Sequence, residues 1–409
     1  MHNVQWWTWL AELMREHGFF RVWTPYPPVF PALFHLGHSL LAAGLSHDQA
    51  VARMTAAWVA ANCLLLAACA GLVFAICRAM GRPKTQAALA AAAVLVANLS
   101  WRSAILIGWN MDQMEYLPLA LLLGGLLALM RRRHVLAAGL AALGAATKLF
   151  PAVLLPLILI DARGKGRWVC GGVFVAVCAG LCAPGLVADA PTFLSTYRWS
   201  GDRPAWETPF RYPWQPFFAE PITPQRHRLL RTPRHALPPM HFRKWYMADL
   251  FAKPYAPPHV LRSELDLARR PSGLVRFGLP LLTLAAGVAA LAFCGRGLSR
   301  EERLATTTLV LVLVLLVFSK GVSSYFIVWV MPLVCIRLGG LRGFVVCALL
   351  LLVGNAEIAA FGASRYPTTT ARADTLFWAA IFARHALLAL LTLRLCVRRR
   401  AAAPRVEQT

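Results

Sequence analysis

The sequence predicts an all-α, polytopic membrane protein with roughly ten to twelve crossings. Three observations carry this expectation. The chain is more apolar than an ordinary soluble enzyme, with 58% hydrophobic and 15% charged residues and a mean hydropathy of +0.56. Its apolar residues fall in runs almost free of charge, at 56–76, 85–99, 116–130, 135–160, 168–188, 274–293, 304–318, 325–336, 343–360 and 375–393. Several approach the roughly 20 residues that a helix needs to span a bilayer. The basic residues, finally, gather between those runs: "CRAMGRPK" at 77–84, "RRRH" at 131–134, "DARGKGR" at 161–167, "CGRGLSREER" at 294–303, "RLGGLR" at 337–342 and "RLCVRRR" at 394–400.

That distribution gives the net charge of +24 its meaning. Short basic loops between apolar runs mark the cytoplasmic side of a membrane protein, so the charge points to topology and away from nucleic acid as a partner. The ten Cys lie in or beside apolar runs with no CxxC spacing, and read as small core residues. "MHNVQWWTWLAELMREHG" has neither a basic start nor a continuous apolar core, so it is not a signal peptide.

The elements follow in chain order. Residues 1–27 are expected to be an external amphipathic segment, with Trp6, Trp7, Leu10, Leu13 and Met14 opposite Glu12, Arg15 and Glu16. Segment 28–45 carries two His and several Pro, which favours a dip into the membrane over a crossing. Residues 1–27 would then be external, and a spanning helix is expected upstream of the chain as given. A membrane module covers 28–187, with 101–115 outside. Run 135–160 has basic residues on both flanks, so it must turn back, and the break is expected at "TKLFP", 147–151, with Lys148 at its tip near the outer face. Residues 188–272 form a large extracytoplasmic loop holding about half of the chain's 27 prolines, with Trp199, Trp206, Trp214 and Trp245. So many prolines predict short helices and turns. Its aromatic content favours an ordered lid over a disordered insert. Membrane helices return over 273–396, and 397–409 is a cytoplasmic tail.

Ionisable residues at these boundaries are candidates for chemistry, because a charge there must be paired or solvated. Asp112 and Glu115 lie where the helix near 114–130 re-enters. They can cap that helix, act on substrate, or both. Lys148 and Lys320 flank apolar runs on the same outer side. They can snorkel to the interface or hold phosphate. Ser323, Ser324 and Tyr325 open the next helix as caps or as ligands. A carboxylate beside fixed cations is what transfer from a phosphate-linked donor requires, since the base takes the acceptor proton and the cations stabilise the departing phosphate. There is no GxSxG elbow, no HExxH and no paired-carboxylate metal pattern. No metal ligand set or cofactor is implied, and the need for a divalent cation stays open.

Four stretches in series resemble the GT-C superfamily of membrane glycosyltransferases, closest to family 87. They are "YPPVFP" after an amphipathic segment; "GWNMDQMEYLPLALLLGGLLALMRRR"; "AAGLAALGAATKLFPAVLLPLILI"; and "FSKGVSSYFIVWVMPL". The resemblance implies a GT-C-like fold that transfers a hexose, plausibly mannose, from a polyprenyl-phosphate donor to a lipid or envelope-glycan acceptor by single inverting displacement. The site would face outward from the cytoplasmic membrane, with membrane lipids as surroundings. In its terms Tyr26-Pro27-Pro28 stiffens the bend into the active-site cavity. Asp112 would serve as base, with Glu115 in reserve. Lys148, Lys320, Arg198 and Arg203 would hold phosphate, Arg as a fork and Lys as a point charge.

The chain departs from the family pattern where an acidic first-loop residue, taken as the base, is expected. That position falls on His2 or Asn3, and Asn3 cannot accept a proton as a carboxylate does. Also, "GWNMD" replaces a G-Q-x-D element and "SSYF" replaces S-P-Q-Y. An inactive homologue that binds lipid-linked sugar, a flippase for a lipid-linked substrate, and a glycan ligase or polymerase therefore stay as alternatives.

Overall fold

The computed structural model describes residues 2–21, 24, 26–105, 115–202, 219–221, 269–271, 274–319, 326–364 and 371–397. Its elements are α1 (His2–His17), a 3₁₀ turn (Phe19–Arg21), α2 (Val29–Leu41), α3 (His47–Ala79), α4 (Lys84–Ile105), α5 (Tyr116–Met130), α6 (His134–Ala145), a 3₁₀ turn (Phe150–Val153), α7 (Leu154–Asp161) and α8 (Gly166–Asp202). After the large loop come α9 (Leu279–Phe293), α10 (Arg300–Phe318), α11 (Ile327–Leu338), α12 (Gly340–Ser364) and α13 (Ala371–Val397). The architecture is all-α and polytopic. One antiparallel pair, β1 (Ala219–Pro221) with β2 (Arg269–Pro271), joins the two ends of the segment between α8 and α9.

Local sequence explains where the helices start. Ser46 and Gln49 form a capping box at α3. Ser299 accepts the Glu302 N–H at 3.2 Å, and Glu301 and Glu302 meet the positive end of the α10 dipole. Among the described residues, five stretches are long and apolar enough to cross a membrane: all of α3, Gly166–Leu194 of α8, Arg276–Phe293, Gly340–Glu357 of α12 and Thr375–Cys396 of α13. By contrast α5 has 15 residues and α6 and α11 have 12 each. At 1.5 Å per residue these reach only about 18–22 Å, less than a bilayer core of about 30 Å. The ends of these helices away from the basic loops meet around Glu115, Lys148 and Trp329.

The opposite ends of the same helices carry the basic loops and gather together. Arg82 Nη2 donates to the Arg337 carbonyl at 3.1 Å. Arg300 donates to Asp161 Oδ1 at 2.9 Å and to the carbonyls of Leu129 and Met130 at 2.9 and 3.0 Å. His134 Nε2 lies 2.8 Å from Asp161 Oδ2. The short basic loops inferred from sequence to share a side therefore share an end of the bundle. Burial alone would raise the Asp161 carboxyl, but hydrogen bonds from Arg300 and His134 outweigh it and hold it below its ordinary value. The associated stability is complete above the unfolded carboxylate range of about 3.9 and is lost as pH falls below it. Thermal unfolding of the wild type is thus expected to weaken on acidification below about pH 4, with Asp161→Asn already destabilised at neutral pH and responding less.

Residues 134–161 form a helical hairpin. Both legs leave the basic end, tied there by the His134–Asp161 contact, and residues 146–149 form the tip. Residues 188–202, at the start of the segment expected to hold short helices and turns, are helical. Asp189 leaves the helical region (φ −160°, ψ 81°) and its Oδ1 accepts the Thr192 N–H at 3.1 Å, so α8 is two helices joined at a sharp turn. Pro191 lies in the first turn of the second helix, where its missing N–H needs no partner.

The main core packs the C-terminal half of α3 with α4, α5, α6, α10 and α11, around Leu122, Leu123, Leu126, Leu309, Val330 and Ile336. A second, aromatic cluster joins α1, α2 and the N-terminal half of α3 through Trp7, Phe30, Phe34, Met54 and Trp58. Arg384 Nη1 donates to Glu357 Oε1 at 3.0 Å between α13 and α12, with both side chains buried.

Candidate functional site

Four chain segments far apart in sequence meet at these helix ends. Glu115 immediately precedes α5, Lys148 stands at the hairpin tip, Tyr26 precedes the Pro27-Pro28 bend into α2, and Trp329 lies in the first turn of α11. The Val29 N–H donates to the Ala146 carbonyl at 3.2 Å, which pins the start of α2 to the hairpin tip.

Glu115 is only 1% exposed. Lys148 Nζ donates to its Oε1, and Trp329 Nε1 donates to its Oε2 at 2.6 Å. Both carboxylate oxygens are therefore occupied. At sequence level the Glu115 carboxylate could have been a helix cap. It occupies the N-cap position of α5 but makes no capping bond, and its side chain turns to Lys148 and Trp329 instead. A buried carboxylate without donors would be very costly, so the lysine and the indole decide its direction.

The ammonium of Lys148 is ringed by aromatic faces. It lies 4.9 Å from the centroid of Tyr26, 5.4 Å from Phe326 and 5.8 Å from Trp329. Phe150 and Phe326 both stack on Trp329, at 4.0 and 4.2 Å between ring centroids. These rings make a stiff wall that favours a cation electrostatically. The side chain of Lys148 keeps 10% exposure. An ammonium has three N–H donors, so those not spent on Glu115 can meet an anion arriving at the site.

Of the residues singled out from sequence, the fold brings together Tyr26, Glu115 and Lys148. Asn3 and Arg198 lie on α1 and α8, where only the backbone is described. Asp112, Lys320, Arg203, Ser323, Ser324 and Tyr325 lie outside the described residues. Sequence reasoning passed over Trp329, Phe150 and Phe326. A signal for Trp329 was present in "SSYFIVWVMP", where a Trp follows the boundary by one helical turn. Among the described residues no group of three or more His, Cys, Asp or Glu is placed to hold a metal ion.

The family model for glycosyltransferase family 87 matches residues 23–319, more than half of the chain. The chain belongs to glycosyltransferase family 87. It is thus a membrane glycosyltransferase, and the matched region contains Tyr26, Glu115 and Lys148, while Phe326 and Trp329 follow it directly. Comparison with curated proteins and with solved structures finds no match. In this family 87 chain the site is assembled at the blunt ends of half-length helices, and α12 and α13 lie beyond the matched region.

Proposed function

We propose that this family 87 glycosyltransferase moves a hexose, mannose being the first candidate, from a polyprenyl-phosphate donor to a lipid or envelope-glycan acceptor at the outer face of the cytoplasmic membrane. The observation that carries the reading is the Lys148 ammonium. It is held by Glu115, framed by Tyr26 and Trp329, and set at the end of helices too short to span. A lipid-linked phosphate lies between polar and apolar surroundings, and a cation recessed among aromatic rings suits it on both sides.

In the proposed step an acceptor hydroxyl oxygen attacks the anomeric carbon from the face opposite the phosphate. The bond between that carbon and the phosphate oxygen breaks, its electron pair leaves with the polyprenyl phosphate, and the hydroxyl proton passes to the Asp112 carboxylate. Lys148 neutralises the departing phosphate, with Lys320, Arg198 and Arg203 as further cations and Ser323, Ser324 and Tyr325 as hydroxyl donors. Glu115 orients Lys148, since both of its oxygens already accept hydrogen bonds.

A second reading is a binding protein for lipid-linked sugar. Asn3 at the position of the expected base and the fully occupied Glu115 favour it. One assay separates the two. Purified protein is incubated with a panel of radiolabelled polyprenyl-phosphate hexoses and membrane lipid extract, beside Asp112→Asn and Lys148→Ala. Transfer of one sugar, lost in both variants, supports the enzyme and its site. Saturable donor binding without turnover supports the binding protein, and unchanged transfer in both variants removes the site assignment.

A further inference from the structure

Away from the Glu115–Lys148 site, the interface of α1, α2 and α3 contains a group of ionisable side chains that the transfer chemistry does not use. Glu12 of α1 lies 3.1 Å from His47 Nδ1 at the start of α3 through each of its oxygens. Its Oε1 is also 3.9 Å from His38 Nε2 of α2. His38 is 1% exposed, and neither of its ring nitrogens has a hydrogen-bond partner. One turn earlier on α2, His35 Nδ1 is likewise buried without a partner. Buried nitrogens left unbonded are uncommon enough to require a reason. These nitrogens are not grouped to hold a metal ion, so the ligand argued here is a proton.

We propose that the buried imidazole nitrogens of His35 and His38 form a proton-sensitive latch that holds α1 on α2 at neutral pH and releases it on acidification. The groups facing His38 are Glu12 and Arg15 from α1, His35 from its own helix and His47 from α3. Burial lowers the His38 pKa; Glu12 opposes this, and Arg15, His35 and His47 add to it. Burial lowers His35 in the same direction, opposed by the Ala11 backbone and aided by Arg15. Imidazole in an undocked helix protonates near its ordinary value of about 6.5. The docked form resists, so the undocked form binds more protons below that pH. Docking is complete above about pH 6.5 and weakens as pH falls below it. The consequence reaches the candidate site: Trp7 on α1 packs 5.6 Å from Tyr26 and 4.3 Å from Phe30, and Tyr26 faces Lys148. Release of α1 would take away one wall of the aromatic frame.

The test does not depend on the transfer reaction. Hydrogen exchange of the α1 amides is followed in the full-length protein in detergent micelles from pH 7.5 to 5, relative to α5 amides as an internal reference for intrinsic rates. In the wild type, α1 protection should fall severalfold relative to α5. In His35→Leu/His38→Leu that fall should vanish, and His35→Gln/His38→Gln, which keeps polarity without a titrating group, covers the case in which the Leu pair fails to fold. A wild type with constant relative protection overturns the latch. So does an equal fall in the wild type and in whichever variant folds, because the sensing group would then lie elsewhere.

Discussion

If Lys148 meets the departing phosphate as proposed, Lys148→Ala is expected to lower glycosyl transfer by about two to three orders of magnitude, the usual consequence of removing one fixed charge from a departing anion. The same change should destabilise the protein by about 3–5 kcal/mol, because it strands a buried carboxylate with the Trp329 N–H as its remaining donor among the described residues. The two effects can be separated. In Lys148→Met/Glu115→Gln, the Gln carbonyl can still accept from Trp329 and no buried charge is left alone, so stability should return to within about 1 kcal/mol of the wild type. Transfer should stay lost, because no cation occupies the Lys148 position. Thermal unfolding in detergent and single-turnover transfer on the same samples would check both. Recovery of transfer in the double variant would show that Lys148 acts only by filling a structural role.

Gly144→Val is expected to displace Lys148 without touching its chemistry. A Cβ at Gly144 would stand 2.7 Å from Pro151 Cβ, 2.9 Å from Pro151 Cγ and 3.3 Å from Leu121 Cβ. The pyrrolidine ring cannot rotate away, so the two legs of the hairpin must separate. The Gly144 carbonyl also accepts from Thr147 Oγ1 at 2.6 Å and from the Lys148 N–H at 2.9 Å, so the tip would move with it. A loss of about 1–3 kcal/mol is expected, together with a fall in transfer larger than that loss explains, since ångström shifts at a reacting centre are costly. Gly139 on the same helix meets nothing within 4 Å, and Gly139→Val is the matched control. Equal transfer in the two variants would remove the argument that hairpin closure positions Lys148.

Much of this was legible before any coordinates. The apolar runs gave the membrane class, and the clusters around Arg82, Arg131–Arg133, Arg300 and Arg337 gave one end of the bundle, because charge placement in short loops is a local property. Basic flanks on both sides of 135–160 implied a turn near Lys148, again from one segment alone. The exact start of the short helix after Asp189 was not legible, because proline in a first helical turn looks the same in sequence as proline in a turn.

The sequence by itself determined that Tyr26, Glu115 and Lys148 sit at segment boundaries, where polar groups need partners. Only the tertiary structure decided who those partners are. Glu115, Lys148 and Trp329 are separated by 33 and 214 positions along the pairs that bond. No periodicity spans such distances; the pairing follows from how α5, the 134–161 hairpin and α11 pack at their blunt ends. Depth was hidden for the same reason. An apolar run states that a helix prefers lipid or protein interior over water, and it does not name the neighbours that bury the Glu115–Lys148 pair.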